Sequence, residues 1–176
     1  GDGDVAGKFS CLANVGVDGS GIEMPLRAVE LAVSDRVADG TNAGFLRDDA
    51  LLAVVILTDE DDCSHSTSPI KHTVPLFGSV PECMPNGLDE ISHFVTTLND
   101  IKGGPEKWAA AVIAGPAGGT RCESGFGTAS PANRLQSFVD TVGDNAILSS
   151  ICEGDLSKGL ADAVNTFDVA CRAFVK

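Results

Sequence analysis

Leu51-Leu52-Ala53-Val54-Val55-Ile56-Leu57-Thr58 runs straight into Asp59-Glu60-Asp61-Asp62-Cys63-Ser64. An unbroken Val/Ile/Leu run without alternation predicts a strand covered on both faces, the habit of parallel sheets in α/β proteins. The expectation is therefore an interior strand over 51–58 with Asp59 at its carboxyl edge. Ligands gather just beyond the carboxyl ends of such strands. Four acids at that position supply oxygen donors suited to a hard cation, Mg²⁺ or Ca²⁺; the alternative is a solvated acidic loop.

Two further strands can be read downstream. Trp108-Ala109-Ala110-Ala111-Val112-Ile113 is apolar throughout and closes at Gly115-Pro116, and Ala146–Ile151 is shorter. Helices fill the intervals. Pro25 suits a first helical position, and Leu26, Val29, Val33 and Val37 then share one face until Gly40. Ile91, Phe94, Val95, Leu98 and Ile101 form a second stripe, within a helix expected from about Leu88 to Ile101. Ser130-Pro131 predicts an N-cap and first turn for a third helix, with Leu135, Phe138, Val139 and Val142 facing inward. Asp155 is the expected cap of a last helix. The glycines at 115–127 read as turns.

Alternation of helix and strand defines the α/β class with a parallel sheet. A mean sheet has about five or six strands, against the three readable here. Residues 1–176 are thus expected to form one domain that is incomplete on its N-terminal side and lacks its opening strands. Gly1-Asp2-Gly3-Asp4 is neither a start methionine nor a signal peptide, so the chain is expected to be processed or to begin inside a longer one.

The 176 residues carry a net charge of −13, which argues against nucleic acid and anionic lipid as partners. No apolar run reaches the roughly 18 residues of a membrane span. Six scattered cysteines, Cys11, Cys63, Cys83, Cys122, Cys152 and Cys171, lack the C-x-x-C spacing of zinc ribbons and redox sites. They are read as disulfide candidates in an oxidising compartment: periplasm, outer surface or secreted. Sequence leaves the pairing open, although Cys63–Cys83 would staple the aperiodic, proline-broken loop between them. Most or all six are expected to be oxidised.

Phe9-Ser10-Cys11, Gly19-Ser20-Gly21-Ile22-Glu23-Met24-Pro25-Leu26, Asn42–Ala50 and Leu57–Ser64 together resemble von Willebrand factor A-like domains of secreted bacterial proteins, nearest to surface lipoproteins of myxobacteria-like Gram-negatives. Val112–Pro116, Arg134 and Ser150-Ile151-Cys152 extend the likeness over nearly the whole chain. The resemblance implies a Rossmann-like doubly wound parallel sheet and a metal-ion-dependent adhesion site on its carboxyl edge. Asp59 matches the aspartate of the family's third metal segment. No Asp-x-Ser-x-Ser stands upstream of the 51–58 run, where the first segment belongs, and the second lacks its threonine, leaving Ser20 and Glu23 as local oxygen donors. The implied metal set is Asp59, Ser20 and Glu23, with Asp61 beside them, holding Mg²⁺ or Ca²⁺ weakly. The function expected is an extracytoplasmic protein-binding or adhesion module, not an enzyme. Its expected partner is a protein or neighbouring subunit, including one that supplies the missing strands.

Other readings of these residues rank lower. A structural subunit of a cell-surface assembly would leave the acidic edge solvated and metal-free. Asp59-Glu60-Asp61 also fits the Asp-x-Asp of phosphoryl-transfer enzymes, but Asp62-Cys63 stands where those enzymes carry Gly-Thr. Cys63, His65 and His72 are zinc ligands by type, yet they fall in or beside a proline-broken loop; His93, beside Phe94 on a helix, reads as a residue at the boundary of the core. Gly-x-Ser-x-Gly is absent, and the glycine loops lack the lysine of a phosphate loop.

Overall fold

The computed structural model describes residues 4, 7–8, 10–11, 14, 21–66, 87–125 and 127–175. Helix α1, Pro25–Val33, buries Leu26, Glu30 and Val33. The expected stripe continues to Val37, but the helix breaks at Ser34, whose hydroxyl donates to the Glu30 carbonyl at 2.6 Å. Such back-bonding competes with the helical ladder. The four-residue α2, Asp35–Ala38, resumes beyond it. Strand β1, Leu52–Leu57, leads through α3, Ile91–Lys102, to β2, Trp108–Ala114. A two-stranded antiparallel ribbon, β3 (Cys122–Ser124) and β4 (Gly127–Ala129), follows. The turns expected across 115–127 therefore include a short hairpin. Then come α4, Asn133–Val142, β5, Ala146–Ser150, and α5, Leu156–Phe174.

The main sheet is parallel with order β1-β2-β5; Leu52 pairs with Trp108 and Ala110 with Ala146. The chain is thus mixed α/β, with a three-stranded parallel sheet. One sheet face carries Leu52, Val54, Ile56, Ala110 and Val112 against Leu26, Phe94, Leu98, Leu135 and Phe138 of α1, α3 and α4. On the opposite face, α5 packs on β2 and β5. Gly159 lets it settle closely, since a Cβ there would stand 3.1 Å from Ile113 Cδ1. Lys102, buried at the end of α3, donates to the carbonyls of Arg47 at 2.6 Å and Ala50 at 2.9 Å, fixing the approach to β1.

The expectation of an interior strand at 51–58 is corrected. Among the described residues β1 pairs only with β2 and stands at the sheet edge. Its side chains alternate: Leu52, Val54 and Ile56 are buried, whereas Val55 is 49% and Leu57 56% exposed. The reason is coverage, because α5 lies over β2 and β5. The strand buried on both faces is β2, all seven of whose residues are inaccessible.

Candidate functional site

At the carboxyl end of β1 the acidic run divides into two halves. The chain leaves the sheet at Thr58, whose N–H donates to the Ile113 carbonyl at 3.1 Å. The Asp59 carbonyl accepts from Ser130 N–H at 2.8 Å, tying this edge to the segment entering α4. Gly115 makes that closeness feasible, since a Cβ there would fall 1.9 Å from the Ser130 carbonyl oxygen.

Asp61 and Asp62 turn inward to two helix starts. Asp61 Oδ1 accepts from the backbone N–H of Arg134 and Leu135, both at 3.1 Å, and its Oδ2 from Arg134 N–H at 2.9 Å. The first turn of a helix presents unpaired N–H groups and a partial positive charge, and a carboxylate satisfies both. Asp61 therefore does for α4 what Ser130 was expected to do. The helix starts at Asn133, with Ala132 at the cap position and no side-chain cap of its own. Asp62 is fully buried. Its Oδ1 accepts from Leu26 N–H at 3.1 Å and from Ser64 Oγ at 2.6 Å, and its Oδ2 from Ser64 N–H at 3.1 Å. Arg134 closes the network with Nη2 at 3.2 Å from Asp62 Oδ2 and 2.8 Å from the Asp89 carbonyl. Ser64 Oγ in turn accepts from Arg27 N–H at 2.8 Å. One short loop thereby binds the N-termini of α1 and α4.

Asp59 and Glu60 form the outer half, Asp59 exposed and Glu60 half-buried. Burial first, then the neighbouring charges of Asp59 and Glu23, push the Glu60 carboxyl above its ordinary value of 4.5, with Arg121 acting in the opposite sense. Glu23 is exposed, and its carbonyl accepts from Cys63 N–H at 2.8 Å, which places it beside the acidic loop. Of the metal set expected from sequence, Asp59 and Glu23 are thus brought to one edge. Asp61 is engaged by α4, and Ser20 lies outside the described residues. Among the described residues no group of three or more His, Cys, Asp or Glu stands ready to hold a metal ion. The described donors therefore do not fit a complete protein-ligated cation site, and no step is derived through one.

Asp62, Ser64, Arg121 and Arg134 carry no distinct role in the sequence pattern. Nothing in the run distinguishes its four acids, and the partner of Asp62 lies 72 residues away. His65 Nδ1 lies 2.9 Å from the Cys63 carbonyl and His93 Nε2 lies 2.9 Å from Glu30 Oε1, while His72 is outside the described residues. Cys63 is in a disulfide, which removes it as a zinc ligand; Cys83, its expected partner, lies outside the described residues. Cys122 and Cys152 are bridged, with Cα atoms 6.0 Å apart, pinning the β3–β4 ribbon to the segment after β5. Cys11 and Cys171 depart from the expectation of oxidation: both are exposed and free. Among the described residues no helix is long and apolar enough to cross a membrane. Compared with protein-family profiles, curated proteins and solved structures, the chain matches none.

Proposed function

We propose that this chain is an extracytoplasmic protein-binding module of von Willebrand factor A-like architecture, acting through the carboxyl edge of β1. The observation that carries the reading is the division of the acidic run. Asp61 and Asp62 anchor the edge to two helices, and on that base Asp59 stands exposed beside Glu60 and Glu23. A rigid edge presenting mutually repelling carboxylates attracts a divalent cation or the basic groups of a partner protein. Mg²⁺ or Ca²⁺ would be held chiefly by Asp59, with water completing most of its shell, so affinity would be low. The disulfide Cys122–Cys152 supports an oxidising, extracytoplasmic location. The role is binding rather than catalytic: Asp61, which the phosphoryl-transfer reading requires beside Asp59, already accepts backbone N–H groups on both oxygens. A purely structural subunit remains the second reading, favoured by that same engagement of half the run in the fold.

Thermal melting with and without millimolar Mg²⁺ or Ca²⁺ tests the proposal. The cation should raise the melting temperature of the wild type and leave Asp59→Asn unmoved. Equal responses in both proteins would remove Asp59 from the site, and no response in either would favour the structural reading.

A further inference from the structure

On the opposite side of β1 from the helices α1, α3 and α4 lies an apolar corner. Its floor is Val55 and Leu57, 49% and 56% exposed, and its wall is Leu160 and Val164 of α5, 51% and 65% exposed. The helix geometry places that wall. Asp162 accepts from Ser149 Oγ of β5 at 2.9 Å, so its flank of α5 faces β5. Residues two positions away lie about 200° around a helix, which turns Leu160 and Val164 to the flank facing β1. The free edge of β1 adjoins the corner, and among the described residues no strand pairs with it.

The sheet's connections specify what fits there. β1 to β2 and β2 to β5 both cross by helices on the α3 and α4 face, each step running away from β1's free edge. Parallel crossovers are right-handed almost without exception. A chain that adds a strand to the free edge and continues outward must therefore cross on the α5 face, where the corner is open. Charge narrows the occupant further. Asp48-Asp49 precede β1 and Asp59-Glu60 follow it, and the nearby Arg47 is paired with Asp49 at 3.0 Å. Two copies of this chain pairing antiparallel through β1 would set acid against acid at both ends, which is destabilising.

We infer that the β1 edge and its corner dock a segment of a different polypeptide: an apolar strand flanked at both ends by Lys or Arg, running parallel to β1 and followed by an amphipathic helix. Backbone pairing supplies the strand's affinity and the basic flanks its selectivity, as in other additions to exposed sheet edges. The inference rests on reading the chain as a protein-binding module; it shares Asp59 and Glu60 with that edge and adds the backbone of β1, unpaired among the described residues, and its apolar corner.

The test uses the full chain and a synthetic peptide of β-branched apolar residues with lysines at both ends, alongside a twin flanked by glutamates. The lysine-flanked peptide should bind about tenfold more tightly and slow backbone hydrogen exchange within 52–57. Binding should be lost in Val55→Lys and Leu57→Lys variants that melt as the wild type does. Appending an amphipathic helix should tighten binding to the wild type and not to Leu160→Lys. Equal affinity for the two peptides, no protection of β1, or reversible dimerisation abolished by Val55→Lys would overturn the inference, the last in favour of a second copy. Cation-dependent melting of the wild type reports separately on the Asp59 edge. Its persistence without peptide binding would remove this inference and leave the protein-binding reading standing.

Discussion

Adjacent acids in this chain do opposite work, and substitution should separate them. Asp62 is fully buried and paired with Arg134, so Asp62→Ala strands the N-terminus of α1 and the guanidinium together. Breaking a buried pair from one side costs roughly 3–5 kcal/mol, and urea titration should register a loss of that order. Glu60 behaves inversely. Burial and the like charges of Asp59 and Glu23 hold its carboxyl above 4.5, so the folded state keeps this proton to higher pH than the unfolded chain does. Its stabilising contribution is full below the ordinary value and is lost as pH rises through the elevated folded one. Glu60→Gln should therefore melt higher than the wild type near pH 7, with the difference vanishing below about pH 4. Sequence alone located the run and its strand-edge position. It could not sort the four carboxylates, because their environments are set by Arg134, Leu135 and Leu26, which only folding brings to them.

The division of labour between strands was the less legible feature. The Val/Ile/Leu run at 51–58 and the Ala-rich run at 108–114 both read as buried strands, and both are strands. Only the second is covered on both faces, since coverage depends on where α5 lands and not on composition within the strand. Ile56→Ala should cost about 2–5 kcal/mol, as cavity-forming core substitutions do. Leu57→Thr, on the open face, should stay within about 0.5 kcal/mol. Chemical denaturation of the two variants checks the contrast, and equal losses would mean that β1 is covered on both sides. Gly115→Ala should destabilise by about 1–3 kcal/mol, because the clash is with the Ser130 backbone and not with a yielding side chain. The α4 boundary was misplaced for a related reason: its cap is Asp61, from a strand end distant in sequence. The Asp155 cap of α5 is local, accepting from Ser157 N–H at 2.8 Å, and the sequence was sufficient to find it.

Across the whole molecule, the acidic edge and the oxidised cysteines carry the functional reading together. Cys122–Cys152 spans 30 residues, and closing a loop of that length stabilises by about 3–4 kcal/mol on the chain-entropy view. Alkylation of the native protein without reductant should label Cys11 and Cys171 and spare Cys63, Cys122 and Cys152. Labelling of Cys122 or Cys152 would contradict the oxidised state and weaken the extracytoplasmic placement. The α/β class and order of elements were legible in the sequence because helix and strand periodicities are local. The open edge was not, because it depends on which surfaces the elements leave uncovered. In the proposed function the inner carboxylates build the edge and the outer ones bind. Residue-resolved chemical shifts recorded through a Mg²⁺ or Ca²⁺ titration test it most directly. Resonances of Asp59, Glu60, Glu23 and Arg121 should move saturably while Asp62, Ser64, Leu26 and Arg134 stay fixed; movement centred on the Asp62–Arg134 network, or none at the Asp59 edge, would contradict it.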